Sequence, residues 1–183
     1  DILVNSMQRE RVLIDVSLAM EFLDAYETAV TLVTSSSVFV TAELGARVCA
    51  TGLLLHDGVG DRTQSGGQLS DVLLRWGAPE LLSHGATSLP TAASGVWSFG
   101  VLVWELFQEE PGITVPYGAL TTDELRTAAA SNGGRPALLA PSTLSALCKT
   151  VFAACHIRSP PARPSMNGVA TLLVDELGGA DWW

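Results

Sequence analysis

Between Ser94 and Phe107 the chain reads Ser-Gly-Val-Trp-Ser-Phe-Gly-Val-Leu-Val-Trp-Glu-Leu-Phe, and from Val96 onward only Ser98, Gly100 and Glu105 interrupt the apolar run. A helix that is hydrophobic nearly all round has no face to give to water, so it belongs in the middle of a core. The run is too short and too interrupted to cross a bilayer. The rest of the fold must therefore wrap this one helix.

The remaining elements read as mainly α. Residues 9–29 show Val12, Val16, Ala19, Leu23 and Tyr26 at helical spacing. Val38-Phe39-Val40 and Ala46-Arg47-Val48-Cys49 flank a Gly-containing turn at Thr41–Gly45 and predict a short β-hairpin. From Leu55 to Ser70 the composition turns to Gly, Asp, Gln, Ser and Thr, a stretch longer than an ordinary connection. A Glu/Pro/Gly loop follows at 108–116. Helices are expected at Thr122–Ser131, Pro141–Ala154 and Met166–Leu177, with Thr122 and Ser142 as caps for the first two and Gly178-Gly179 as the stop for the last.

Composition excludes several function classes. At 183 residues with 48% hydrophobic and 16% charged residues, the chain is globular and amounts to one domain or part of one. A net charge of −9 gives no basic footprint for nucleic acid. The opening residues, Asp1 to Asn5, show no leader pattern, and no Asn-X-Ser/Thr acceptor occurs, so a cytoplasmic setting is expected. Cys49, Cys148 and Cys155 are too few for a disulfide framework. Cys148, Cys155 and His156 lack the fourth ligand and the C-x-x-C pair of a zinc site, so buried free thiols are the better reading. His56, His84 and His156 have no triad partners nearby and read as surface or loop histidines. Trp76, Trp97 and Trp104 read as packing residues, Trp182-Trp183 as an adhesive terminal patch, and Glu109, Glu110, Asp123 and Glu124 as a solvated face.

Several motifs in order carry a family resemblance. Trp76-Gly77-Ala78-Pro79-Glu80 precedes the buried run, and Pro116-Tyr117-Gly118, Gly134-Arg135 and Cys155 followed by Arg163-Pro164-Ser165 come after it. Over residues 10–177 the chain resembles the large, C-terminal lobe of a protein kinase, closest to the tyrosine-kinase branch. In that register the A-P-E motif is intact at Ala78-Pro79-Glu80. The catalytic H-R-D falls on Val30-Thr31-Leu32, the catalytic-loop Asn on Ser37, and D-F-G on Ala50-Thr51-Gly52.

The resemblance implies a scaffold without its chemistry. In the family the H-R-D aspartate accepts the substrate proton, while the D-F-G aspartate and the Asn hold magnesium. Leu32 and Ala50 offer no oxygen to a hard cation, and Ser37 offers one neutral hydroxyl. Asp57, on the loop past Gly52, is not expected to substitute. Gly95 stands where the family carries an Asp that ties the catalytic loop, and Thr31 where it carries an Arg that pairs with a phosphorylated residue; no tyrosine lies between Gly52 and Ala78. Neither G-x-G-x-x-G nor a V-A-I-K-like strand occurs, so the small lobe is expected to be absent.

The resemblance therefore predicts one partial domain, 1–183, that is mainly α with a small hairpin. No catalytic residue is expected, and ATP and magnesium binding are expected to be lost. The structural residues it implies are Glu80 and Arg163, as a buried ion pair, and Trp97. Its function would be protein binding or regulation in signalling, through the surfaces near residues 52–78 and the helices after Pro116. The alternative is a truncated piece of a tyrosine kinase domain with ATP-binding and kinase activity. A membrane enters only if a span lies outside this segment, the chain then being the cytosolic part of a receptor. Without a covering lobe, Leu32, Ala50, Leu53, Leu54 and Leu55 are expected to present apolar surface and to favour self-association.

Overall fold

The computed structural model describes residues 5–26, 30, 32–49, 63–64, 68–82, 90–109, 113–131 and 134–177. Among these, the chain forms seven α-helices and two small antiparallel hairpins. In order they are α1 (Ser6–Ala25), β1 (Val38–Val40), β2 (Ala46–Val48), β3 (Thr63–Gln64), β4 (Gln68–Leu69), α2 (Asp71–Trp76), α3 (Pro79–Leu82), α4 (Ala92–Phe107), α5 (Thr122–Ala130), α6 (Ala146–Cys155) and α7 (Met166–Leu177). One 3₁₀ turn, Ser35–Ser37, precedes β1, and another, Pro160–Ala162, precedes α7.

The central helix is α4, where 12 of 16 residues are buried, including Trp97, Phe99, Leu102, Val103, Trp104 and Phe107. Two apolar clusters meet on it. Phe99, Leu102, Val103 and Phe107 join Val12, Leu13, Val16 and Met20 of α1, with Cys148, Val151 and Phe152 of α6 and Met166, Val169 and Leu173 of α7. On the other side, Trp97 and Val101 pack with Leu73 and Leu74 of α2, Leu81 and Leu82 of α3, Tyr117, and Leu125 of α5. The Phe and Leu side chains here each stabilise by about 1.5–3 kcal/mol when fully buried. Gly100 is required where α4 and α6 approach, because a Cβ there would meet Cys155 Cβ at 2.7 Å.

Helix ends follow side-chain capping more closely than apolar periodicity. Asn5 accepts from the Gln8 backbone N–H at 2.9 Å, and the Gln8 side chain accepts from Asn5 N–H at 3.3 Å, so α1 starts at Ser6 and not at residue 9. The seam of α1 is also rotated from the expected one. Val12, Leu13, Val16, Ser17 and Met20 are buried, whereas Leu23 is only partly buried and Tyr26 is 68% exposed. Reciprocal bonding between Thr121 and Glu124 caps α5, so Thr121, and not Thr122, is the cap of that helix. Ser145, and not Ser142, caps α6 by accepting from Cys148 N–H at 3.2 Å. The expected α7 matches the observed Met166–Leu177, while Gly178-Gly179 lie outside the described residues.

The first hairpin pairs Val38 with Val48, Phe39 with Arg47 and Val40 with Ala46. The positive φ that closes its turn falls on Leu44, at 63°, and not on Gly45. Asp15 of α1 accepts from Ala46 N–H at 2.7 Å, which ties the hairpin to the core. The second hairpin and α2 were not legible as elements; the polar stretch ending at Ser70 hides two-residue strands, and α2 is six residues long.

Candidate functional site

The loop between α1 and β1 carries the positions to which the resemblance assigns catalysis. Its backbone is fastened to α4 from beneath. Ser98 accepts from Val33 N–H at 2.9 Å and donates to Gly95 O at 2.9 Å. Glu105 accepts from Ser35 N–H at 3.0 Å and from the Ser35 hydroxyl at 2.6 Å. Burial pushes the Glu105 carboxyl up, with the Ser35 bonds opposing. Neither anchor was singled out from the sequence, although each is one of the rare polar breaks in the buried run.

Leu32 is 6% exposed, and its neighbours in sequence Val30 and Val33 are at 1% and 0%. This corrects the expectation that Leu32 would present apolar surface: the side chain is buried. Gly95 leaves room for this loop. A Cβ on Gly95 would lie 1.8 Å from the Val30 carbonyl oxygen, so the loop backbone occupies the space a side chain would need.

The hydroxyl of Ser37 is already committed. It donates to Thr34 O at 2.7 Å and accepts from Thr34 N–H at 3.1 Å, closing the 3₁₀ turn on itself. Thr31, Ala50, Thr51, Gly52, Leu53, Leu54, Leu55, Asp57, His56, His84 and Trp182-Trp183 lie outside the described residues.

Below the loop, Glu80 and Arg163 come together. Arg163 Nη1 and Nη2 donate to Glu80 Oε1 and Oε2 at 2.7 and 2.8 Å, a two-pronged pair. The other three N–H groups reach Ala93 O at 2.8 Å, Arg158 O at 3.1 Å and Ile157 O at 2.7 Å, so all five guanidinium donors are used. Ser94 adds a bond to Glu80 Oε1 at 3.2 Å, and Trp97 lies with its ring 5.1 Å from the guanidinium carbon. Burial works against the Glu80 charge, but the Arg163 and Ser94 hydrogen bonds and the Arg163 charge outweigh it. The carboxyl is held below its ordinary range.

Two more arginines brace the same region. Arg75 donates to Pro116 O at 2.8 Å and pairs with Asp71 at 3.2 Å. Arg135 donates to Leu74 O and to Gly77 O at 2.8 Å, holding the segment before Ala78. Cys148 and Cys155 are buried free thiols, pushed up by burial to about 11 and about 12, and Cys49 is partly buried and in no disulfide. Among the described residues, no cluster of His, Cys, Asp or Glu is placed to hold a metal.

His156 corrects a second expectation, since it is no surface histidine. Its ring packs against Trp97 and Phe152, with centroids 4.8 and 4.2 Å apart. Burial pushes it down to about 4, with the Arg135 and Arg163 charges adding to the shift. The unfolded chain would take a proton near the ordinary 6.5 that the folded one refuses until about 4. Stability should therefore fall as pH drops through that window, by up to about 3 kcal/mol. Urea midpoints at pH 7 and pH 4.5 check this, and His156→Gln should flatten the difference.

A largely buried central helix, an A-P-E segment stapled to α4 and to the turn before α7 by an arginine–glutamate pair, and a hairpin-bearing loop define a kinase-type helical scaffold. Residues 3–173 match the family described as protein tyrosine and serine/threonine kinase, and the chain belongs to that family. Among its relatives, ephrin type-B receptor 6 of Rattus norvegicus is 36% identical over 91 residues, covering 50% of this chain and 8% of that protein. Megakaryocyte-associated tyrosine-protein kinase of Rattus norvegicus is 27% identical over 175 residues, 96% of this chain and 34% of that protein. Inactive tyrosine-protein kinase 7 of Homo sapiens is 34% identical over 104 residues, 57% of this chain and 9% of that protein. The chain thus spans about a third or less of the length of these relatives. No helix among the described residues is long and apolar enough to cross a membrane.

Proposed function

We propose that this segment is a pseudokinase lobe, which works by protein binding in signalling and not by phosphoryl transfer. The observation that carries the reading is the state of the loop before β1. Where the family register calls for a carboxylate base, Leu32 is packed into the core. Where it calls for an amide ligand to magnesium, the Ser37 hydroxyl is spent on Thr34. Magnesium demands near-octahedral oxygen coordination, and this pair of side chains offers it at most one neutral hydroxyl oxygen that already holds two hydrogen bonds. Ala50, at the D-F-G aspartate's position in that register, adds none. The donor set does not fit Mg-ATP, and no phosphoryl-transfer step can be written through it.

The relatives' names point both ways, since one is called inactive and others are called tyrosine-protein kinases. The local donor set supports the inactive reading. Loss of one preorganised group at a reacting centre costs about 10²–10³ in rate, and here the base and the metal ligands are replaced together. Incubation with radiolabelled ATP, magnesium and a tyrosine-containing polymer should leave the polymer and the chain itself unlabelled. Transfer above a no-enzyme control would overturn the reading.

Binding surface remains on the helices after Pro116. A groove of about 780 Å³ runs between the end of α4 and the segments 113–120 and 137–143, walled by Trp104, Phe107, Tyr117, Leu138 and Pro141. Leu139 on its rim is 80% exposed. The reading assigns this face to a protein partner and places the segment on the cytosolic side of any membrane its parent protein crosses.

A further inference from the structure

Eight large apolar side chains are exposed among the described residues, and four of them lie on α1 or its C-cap: Met7, Leu18, Phe22 and Tyr26. Met7, Leu18 and Phe22 are 64, 37 and 60% exposed, and the Phe22 and Tyr26 rings meet with centroids 4.8 Å apart. The opposite side of the helix, Val12, Leu13, Val16 and Met20, is in the core. At 3.6 residues per turn Met7, Arg11, Ile14, Leu18 and Phe22 share one outward sector, at the spacing of a helix-pairing seam.

Neighbouring elements flank this seam without covering it. Asp15 on one side is tied to Ala46 N–H of the first hairpin. Glu21 on the other accepts from Asn167 of α7 through Oε1. The outward side of a helix in a monomer is ordinarily polar, so an apolar one flanked by charge marks an interaction surface.

The charges say what covers it. Arg11 stands toward the start of the seam and takes part in none of the ion pairs among the described residues. Glu21 stands toward its end. A seam positive at one end and negative at the other complements a copy of itself turned end for end. A two-fold axis at the level of Val16 sets Ile14 against the partner's Leu18, Arg11 against the partner's Glu21 and Met7 against the partner's Ala25. Every such contact occurs twice. Phe22 then lies beside the partner's Arg11, where a ring face attracts the guanidinium. Parallel pairing would oppose like charges at both ends.

We propose that α1 is the interface of a two-fold dimer of this chain, formed by antiparallel pairing of the seam from Met7 to Phe22 with its copy. One helix pair covers less than the roughly 800 Å² per partner of a standard interface, so the dimer is weak, with a Kd of about 10–100 μM. The surface is separate from the groove at the end of α4 and from the loop before β1, so this proposal and the functional reading can fail independently.

Sedimentation equilibrium of the full chain tests it, at about 0.15 M salt to screen the net charge of −9 on each copy. The mass should pass from monomer towards dimer over about a hundredfold concentration range that reaches the high micromolar. Phe22→Glu, at an exposed position, should leave the urea midpoint nearly unchanged and hold the chain as a monomer. Arg11→Glu and Glu21→Arg should each weaken self-association about tenfold, because each turns two attractive pairs into two repulsive ones. An equimolar mixture of those two variants should dimerise again, since each then meets its opposite charge in the other. If Glu21→Arg fails to fold, Phe22→Glu and Arg11→Glu decide. A monomer at every concentration, which leaves the face to a foreign partner, overturns the proposal. So does a dimer that Phe22→Glu leaves intact, or a pair of folded charge variants that does not recover on mixing.

Discussion

Gly95→Ala should destabilise the chain by about 3 kcal/mol or more, at or above the upper end of the usual cost of overpacking a core. The sign makes this a sharp expectation, because glycine to alanine within a helix otherwise gains about 1 kcal/mol. Here the added methyl meets the Val30 carbonyl oxygen at 1.8 Å, with Met20 Cε at 3.4 Å behind it. A backbone oxygen cannot rotate away as a side chain can, and Val30 and Val33 beside it are fully packed. Gly95→Asp, which puts back the residue the family resemblance calls for, should be worse still, since it adds a carboxylate to the same space. Urea denaturation of the variants measures both. Stability unchanged to within about 0.5 kcal/mol, the range of surface substitutions, would show that the loop before β1 is not seated on α4 as described.

Arg163→Ala should cost about 3–5 kcal/mol, the cost of removing one side of a buried pair. The variant strands the Glu80 carboxylate, whose side chain is only 18% exposed, and removes the donors to three backbone carbonyls. Arg163→Lys keeps the charge, but one ammonium with three donors cannot replace five N–H groups in a planar fork, so most of the loss should remain. A cost below about 1 kcal/mol in chemical denaturation would class the contact with surface pairs.

Sequence reading reached the parts of the fold that one strong local pattern dictates. The α4 run is apolar on every side, so its central place followed without reference to neighbours. The α7 boundaries followed from a compact apolar period starting at Met166. The phase of α1 was harder. Val12 and Val16 recur with Leu23 and Tyr26 as readily as with Leu13 and Met20, and only packing against α4 and α7 selects the second set. Caps shifted by one or several residues because Thr121 and Thr122, or Ser142 and Ser145, are equivalent until the backbone chooses.

At the candidate site, the resemblance supplied a register for the residues and no geometry. The resemblance assigns Leu32 to the catalytic register by spacing alone. That it turns inward depends on Gly95 leaving room for the Val30 carbonyl, a contact 65 residues away in sequence terms between Val30 and Gly95 and invisible to any local pattern. His156 was misplaced for a similar reason: its burial comes from Trp97 and Phe152, one of which is on another helix. The bracing roles of Arg75 and Arg135 also rest on backbone carbonyls, which no residue code announces.

The account's central claim is that the loop before β1 has exchanged magnesium and proton chemistry for packing. Calorimetric titration of Mg-ATP into the full-length protein that carries this segment tests it most directly. The account predicts no heat above that of dilution, with or without magnesium. Saturable binding that requires magnesium would contradict it, because it would demand a set of oxygen ligands where Leu32 offers none and Ser37 only one neutral hydroxyl already in two hydrogen bonds.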